Sequence, residues 1–357
     1  MNGIEVFQKQ MTGENGQTGF HFVSAHELCV QPKPTEWLIK DYLDAGTLCN
    51  IFGESGSMKS FVALDMGLSI VTREAWHGCP VRLQGPAILI AGEGFSGLNR
   101  RIKAWSIHHG IDLQDVPFFV SDRPARFLEK EGTAELVQAV DELAALHGAP
   151  ILVIIDTLNR NFGPGDENST ADMTRFISTI DESLRNRYRC TILIVHHSGL
   201  TATERARGAS ALRAALDWEY RLQKNGDGTR TLACTKAKDH PEPPIMTFMP
   251  EEITLDEWID PEDGEVMTSC VLNQTDARTD TKRLTGARKV AYDTLMSLGV
   301  YVHIDAWRDA AYSSGITTSS SMDAKRKAFH RAVTDLRTAG YVDTKNDYWW
   351  PKQNEAA

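Results

Sequence analysis

Residues 47–61 read TLCNIFGESGSMKSF, and this stretch decides the fold of the chain. An apolar run over residues 48–52 enters a glycine-rich turn, which leads through Lys59 and Ser60 into a helical pattern. A strand, a glycine-rich loop and a helix in this order are typical of a P-loop, whose motif is G-x-x-x-x-G-K-[ST]. The stretch therefore predicts a phosphate-binding loop at the start of an α/β domain.

The chemistry of this loop follows from its backbone and from two side chains. Successive N–H groups and the positive end of the following helix dipole are suited to a phosphate chain. We expect Lys59 to reach the β- and γ-phosphates of ATP, and the Ser60 hydroxyl to bind Mg²⁺. ATP is thus predicted to contact Gly53, Glu54, Ser55, Gly56, Ser57, Met58, Lys59, Ser60 and Phe61.

Met58 departs from the motif, because it stands where the second glycine belongs. A side chain here crowds the approach to the β-phosphate, although a backbone with a negative φ could tolerate it. The departure leaves two interpretations open, a loop that hydrolyses ATP and a loop that uses ATP as a switch.

Composition limits the class of protein. The 357 residues are 41% hydrophobic and 24% charged, and their number suggests two domains. No apolar run approaches the roughly 18 residues of a membrane span, and the polar N-terminus lacks the apolar core of a secretory signal. The six cysteines show no metal-binding spacing, so we interpret them as reduced core residues. We therefore expect a cytoplasmic protein that does not associate with membranes.

The charge distribution bears on nucleic-acid binding. A net charge of −10 argues against a generally basic, nucleic-acid-coating surface. Residues 281–357 nevertheless carry twelve Lys and Arg against eight Asp and Glu. This C-terminal part is the better candidate for contact with duplex DNA.

Apolar runs alternate with helical patterns after the loop. The runs predict buried strands over residues 86–93, 116–120, 151–156 and 190–195, with helices over 59–74, 97–109, 133–147 and 171–187. Such alternation predicts an α/β fold with a mainly parallel sheet covered on both faces. Hairpin-like spacing then predicts added antiparallel strands over residues 217–222, 229–236, 244–249, 253–259 and 265–272.

These patterns divide the chain into four segments. Residues 1–35 are expected to be an N-terminal extension, and residues 36–273 an ATPase core. Residues 274–283 are polar and predict a linker. Residues 284–352 show three helical patterns followed by a hairpin, which is the order of a small winged helix-turn-helix.

Polar side chains end three of the predicted strands. Asp156 follows a run of apolar residues, the Walker B pattern, and is predicted to hold Mg²⁺ together with Ser60. Glu93 ends a strand that we expect to lie next to the P-loop strand, where a carboxylate orients the attacking water. His196 and His197 are candidates for sensing the γ-phosphate. The alternatives are solvated strand-end acids and histidines that bond only to the backbone.

A polar loop over residues 198–207 follows the two histidines. Arg205 and Arg207 are candidates for contact with nucleic-acid phosphates, and Arg207 also for a neighbouring subunit's nucleotide. Lys236 and Lys238 alternate along one face at a strand end, where a solvated surface role is the alternative.

The segments GESGSMKSF, ILIAGEG, ILVIIDT, ILIVHHSG and RGASALRAALD occur in this order. With them the chain resembles the RecA-type ATPases, and within these the RepA-like hexameric helicase group of plasmids and phages. The resemblance covers residues 36–272 and implies a RecA-like P-loop ATPase core. The tail also resembles the C-terminal winged-helix unit of phage-borne ATPases in this group.

The resemblance implies roles for further residues. Lys59 and Glu93 are implied to be catalytic, and Arg207 to be an arginine finger that acts in a neighbouring subunit. Lys236 and Lys238 resemble paired basic residues that RecA-type rings insert into a neighbour's site. The implied partners are single-stranded DNA, further copies of the chain in a homo-oligomer, with a hexamer favoured, and a primase or initiator.

Three functions are consistent with these observations. The first is an ATP-hydrolysing DNA replication motor or helicase that acts on single-stranded DNA as an oligomeric ring. The second is a recombination or loading ATPase that uses ATP as an assembly switch, which Met58 favours. The third is a nucleotide-sensing regulator that binds duplex DNA through its winged helix.

Overall fold

The computed structural model describes residues 22–30, 34–92, 95–198, 210–275, 286–299, 301–319, 321–338 and 341–351. In chain order, the first part of the chain forms α1 (Ala25–Val30), β1 (Trp37–Ile39), β2 (Leu43–Asp44), β3 (Leu48–Gly53), α2 (Lys59–Thr72), β4 (Ala87–Ala91), α3 (Phe95–His109), β5 (Phe118–Val120) and α4 (Lys130–His147). The chain continues with β6 (Leu152–Asp156), α5 (Leu158–Phe162), α6 (Thr170–Ile180), a π-helical turn (Asp181–Arg185), α7 (Asn186–Tyr188), β7 (Thr191–His197), α8 (Ser210–Ala215), β8 (Trp218–Lys224), β9 (Arg230–Ala237), β10 (Met246–Ile259) and β11 (Val266–Thr275).

A nine-stranded sheet organises these elements, in the order β5-β4-β6-β7-β3-β8-β9-β10-β11. Six neighbouring strands of this order, β5, β4, β6, β7, β3 and β8, run parallel to one another. The strands β9, β10 and β11 add to them in antiparallel pairs. The predicted fold class, α/β with a mainly parallel sheet and added antiparallel strands, is confirmed.

The position expected for the strand before Glu93 is wrong. β4 pairs with β5 and β6, whereas the P-loop strand β3 pairs with β7 and β8. Two strands therefore separate β4 from β3, a distance of about 14 Å at the usual strand spacing. The local pattern shows that both strands are buried but does not encode which strands pair.

The sheet is covered on both faces, which is why its central strands appear in the sequence as apolar runs. One face packs against α2 and includes the buried side chains of Trp76 and Trp218. The other face packs against α6 and includes Phe127 and Phe176, whose rings lie edge to face at 5.6 Å. Because these strands are parallel, their carboxyl ends lie along one edge of the sheet, and the packing on both faces holds them there.

Two predicted elements differ in their boundaries. The strands expected over residues 244–249 and 253–259 form the single strand β10, which passes through Pro250. β9 pairs with β10 only from Met246 to Phe248, so no residue of β9 lies opposite Pro250. The proline, which has no N–H group, therefore removes no hydrogen bond between these two strands. The helix expected over residues 171–187 is interrupted by the π-helical turn at Asp181–Arg185.

The C-terminal unit has its own core. Its elements are α9 (Gly286–Leu298), β12 (Val302–His303), α10 (Ile304–Ser313), α11 (Met322–Thr338), β13 (Val342–Lys345) and β14 (Tyr348–Pro351). The three strands form a separate sheet in the order β12-β14-β13. Trp307 is fully buried and donates its indole N–H to the Ala291 carbonyl at 2.7 Å. Its identity as a winged helix, like the four segment boundaries, stays a prediction.

In the part of the chain that the structure describes, no helix has both the length and the apolar character needed to cross a bilayer.

Candidate nucleotide site

The P-loop connects β3 to α2, and its shape depends on two glycines. A Cβ atom on Gly53 would lie 2.1 Å from the Leu222 carbonyl oxygen of β8, so no larger residue fits there. Gly56 has a φ of 74°, a left-handed conformation that glycine adopts without strain. Glu54, Ser55 and Gly56 are exposed at the sheet edge, where their backbone can approach a ligand.

The backbone at Met58 has a φ of 75°, so it does not adopt the negative φ at which a side chain would be tolerated without strain. Met58 precedes the first residue of α2, and its half-buried side chain packs against the core beneath that helix. The backbone thus keeps the left-handed conformation that a glycine would adopt. A methionine accepts that conformation at an energetic cost of about 1–2 kcal/mol.

Lys59 is buried and bonded to the loop that precedes it. Its ammonium donates to the carbonyl oxygen of Gly53 at 3.0 Å and to that of Glu54 at 2.8 Å. Burial lowers the pKa of Lys59 to about 8, while the charges of Asp156 and Glu54 act in the opposite direction. The negative charge of Asp156 therefore acts on the Lys59 ammonium, and a further negative charge in the loop would raise the pKa of Lys59.

Asp156 and the two histidines lie along the same edge as the P-loop. β7 stands between β3 and β6, with His196 opposite Phe52 and His197 opposite Gly53. The Ser198 N–H donates to the Gly53 carbonyl at 3.0 Å, which fixes the end of β7 beside the start of the loop. The structure therefore brings the predicted Walker A, Walker B and histidine positions to one edge.

The end of β4 lies close to Asp156 although its strand is distant from β3. The Gly92 N–H donates to the Asp156 carbonyl at 2.6 Å. A Cβ atom on Gly92 would lie 2.3 Å from the Cβ of Arg160, so this position also requires glycine. Glu93 lies outside the described residues. The preceding residue, Gly92, lies at the same sheet edge as Asp156.

Sequence reasoning missed Asn161, which connects several parts of this edge. Asn161 is fully buried on α5 and accepts the Ala125 N–H at 2.8 Å. Its amide donates to the Thr157 carbonyl at 3.0 Å and to the Ile90 carbonyl at 3.4 Å. The sequence signal was an asparagine directly before Phe162, in the short segment LNRNF that follows Walker B.

Lys236, near the end of β9, and Lys238, just after it, lie away from this chain's own P-loop. Lys236 donates to the Arg213 and Ala214 carbonyls at the end of α8, at 2.7 and 3.2 Å. Lys238 lies 3.4 Å from the Asp217 carboxylate, which also accepts the Leu48 N–H at the start of β3. That position is about 16 Å along β3 from Gly53. Both lysines therefore lie away from the nucleotide site of their own chain, and their ammonium groups contact the end of α8 and Asp217.

The residues present fit a nucleotide and a divalent cation. The two glycines leave the loop backbone open, and the buried lysine supplies positive charge next to it. Ser60 in the first turn of α2 and Asp156 at the end of β6 supply the hard oxygen ligands that Mg²⁺ prefers. Arg207 and most of the polar loop, residues 199–209, lie outside the described residues.

The sequence matches the family model described as "AAA domain" over residues 17–202, more than half of the chain. The chain belongs to the AAA domain family. The match includes the P-loop, Asp156 and the histidines, and it ends before Arg207, Lys236, Lys238 and the C-terminal unit. Together with the geometry of the loop, this membership makes the AAA domain protein a nucleotide-binding P-loop ATPase.

Solved structures similar to this AAA domain protein include the RadB recombinase. It is 17% identical, with a TM-score of 0.42, over 57% of this chain and 87% of the recombinase chain. A comparison with curated proteins found no match.

Proposed function

We propose that this AAA domain protein is a RecA-type, DNA-dependent ATPase that works as a replication motor or helicase on single-stranded DNA. The observation that carries the proposal is the convergence of Lys59, Asp156 and the end of β4 at one sheet edge. A single set of residues there suits phosphate binding, metal binding and activation of water.

Each of these residues has a part in the proposed reaction. Lys59 neutralises charge on the β- and γ-phosphates, while Ser60 and Asp156 hold Mg²⁺, which when bound orients the phosphates. Glu93 accepts a proton from the attacking water. His197, next to the first residue of the P-loop, reports the nucleotide state to the polar loop that follows β7.

Oligomerisation completes the site in this proposal. Arg207, Lys236 and Lys238 act on the nucleotide of a neighbouring subunit, where their charge stabilises the transition state. The distance of the lysines from their own P-loop supports this arrangement. A hexameric ring is the assembly that we favour, with a primase or initiator as a further partner.

Steady-state ATP hydrolysis with and without single-stranded DNA tests the motor. We expect DNA to stimulate the wild type, and Glu93→Gln and Arg207→Ala each to lower kcat by about 10²-fold or more while ATP still binds. Lys59→Ala is the control that loses binding itself. ATP binding without appreciable hydrolysis in the wild type would refute a motor.

Met58 favours one second candidate, an ATPase that binds ATP as an assembly switch for recombination or loading. Its side chain stands at the glycine position of the motif, in the glycine-like conformation. If Met58→Gly raises turnover at least tenfold while wild-type ATP binding is already tight, the native loop is tuned for binding and the switch is favoured.

A further inference from the structure

The C-terminal unit has a concave surface between α10, α11 and β14 that encloses about 900 Å³. Apolar side chains form its floor, among them Phe329, Val333 and Trp349. Cations form its rim, among them Arg326, Lys327 and Arg337. We call this surface the basic groove. Its combination of floor and rim suits a ligand that carries both apolar groups and negative charge.

Several features of the groove fit a peptide better than duplex DNA. Asp323 lies 3.1 Å from Arg326 and 2.7 Å from Lys327, so these two cations are already partly neutralised. Paired cations release fewer counterions from a DNA backbone and add less to its affinity. The Arg337 guanidinium lies over the Trp349 ring at 6.0 Å, which forms an apolar and aromatic surface that phosphates do not need.

The matching surface is on the same chain, at the turn between β10 and β11. Residues 251–265 read EEITLDEWIDPEDGE, with eight carboxylates and no lysine or arginine. Ile259 and Val266 face each other across the two strands and are 60% and 44% exposed. We call residues 251–266 the acidic tip. It presents exposed apolar side chains surrounded by negative charge.

The fold of the tip does not account for its charge. Glu257 forms an exposed ion pair with Lys103 at 3.3 Å, and Asp260 and Asp263 accept N–H groups within the turn. Among the described residues, no other Lys or Arg forms an ion pair with these carboxylates. Like charges on paired strands repel one another and destabilise the hairpin. A basic partner would remove this repulsion.

We propose that the acidic tip of one copy of the chain docks in the basic groove of a second copy. Ile259 and Val266 contact the floor, and the carboxylates face the cationic rim. The two surfaces are different, so the contact is heterologous and joins copies head to tail, as in a ring or a filament. The proposal goes beyond ATP hydrolysis and does not depend on the nucleotide site.

Sedimentation velocity of the full chain without nucleotide tests the contact. Asp256→Lys with Glu262→Lys reverses charge on the tip, and Arg326→Glu with Lys327→Glu reverses charge on the rim. We expect each pair of substitutions to weaken self-association about tenfold or more, and salt to weaken that of the wild type. Arg331→Glu is the matched control, because Arg331 is exposed on α11 but does not line the groove.

Restoration provides the decisive result. Mixing the tip variant with the groove variant should restore association, because the tip of each fits the groove of the other. Combining all four substitutions in one chain should also restore it, which a misfolded variant cannot do. A wild type that stays monomeric at every concentration overturns the proposal, as does association that the reversals leave unchanged. Loss of duplex DNA binding in the groove variant, with unchanged self-association, assigns the groove to DNA instead.

Discussion

Met58 holds a left-handed backbone conformation, with φ 75° and ψ 29°, directly before α2. Alanine at this position keeps that strain and loses the side-chain packing, whereas glycine loses both. Relief of about 1–2 kcal/mol of strain exceeds the entropic penalty of roughly 0.5–1 kcal/mol for glycine. We therefore expect Met58→Gly to be more stable than Met58→Ala by up to about 1 kcal/mol, measured by urea unfolding. The reverse order would mean that residue 58 has a negative φ.

Lys59 predicts a pH dependence of nucleotide binding. Its pKa is about 8 in the folded protein, below the ordinary 10.5, because the ammonium is buried. A bound phosphate favours the charged form, so binding takes up a proton once the pH exceeds about 8. We expect the ATP affinity to be flat below pH 7.5 and to fall by up to about tenfold per pH unit above 8. Calorimetric titration in buffers of different ionisation enthalpy measures both the affinity and the proton uptake.

The effect of Lys59 on folding has the opposite sign. The folded lysine binds fewer protons than the unfolded one between pH 8 and 10.5, so its contribution to stability improves as the pH rises through that window.

For the pH dependence of ATP binding, Lys59→Arg is the control, since its guanidinium stays charged throughout. An equally steep loss of ATP affinity in the arginine variant would assign the proton to another group.

At the scale of elements, Asp65 connects the helix after the P-loop to α3. Its buried carboxylate accepts the indole N–H of Trp76 at 2.9 Å and that of Trp105 at 2.7 Å, and it lies 2.8 Å from His77 Nε2. Trp105 is on α3, the helix that begins two residues after Glu93. The carboxylate thus fixes the helix that follows the proposed catalytic base.

Asp65→Leu removes the shared acceptor and leaves two buried indole donors unpaired. At about 1–3 kcal/mol for each of the two orphaned donors, we expect a loss of roughly 2–6 kcal/mol in the free energy of unfolding. Asp65→Asn keeps one acceptor oxygen and should lose about half as much. Urea unfolding followed by tryptophan fluorescence measures the difference. Equal losses in the two variants would show that shape matters here, not hydrogen bonding.

The sequence predicted the helices and strands more accurately than it predicted which strands lie next to one another. Buried parallel strands appear as apolar runs, and strand-end residues such as Asp156 and His197 must meet at one edge, so that edge was predictable. The pairing of β4 with β6 was not, because it depends on contacts between distant segments. Asn161 was missed for the same reason, since its three backbone partners come from separate loops and strands.

At the scale of the whole molecule, buried apolar side chains form separate clusters. Two clusters cover the faces of the nine-stranded sheet. A third lies within the C-terminal unit, where the described buried residues run from Ala291 to Val342. The sheet of that unit shares no strand with the large sheet. The described part of the C-terminal unit thus has a core and a sheet of its own, while the division at a polar linker stays a prediction.

We therefore expect residues 284–357 to fold without the rest of the chain. Their core centres on Trp307, which is fully buried, packs against Phe329 at 5.3 Å and bonds to the Ala291 carbonyl. A unit of this size has a free energy of unfolding of roughly 4–10 kcal/mol. The isolated segment should unfold cooperatively in urea, and Trp307→Ala, at a cost of about 3–5 kcal/mol, should remove at least about a third of that stability. Met322→Ala, at an exposed side chain in the first turn of α11, is the control that should leave the transition almost unchanged. A gradual transition in the isolated wild-type segment would show instead that the unit needs the ATPase core to fold.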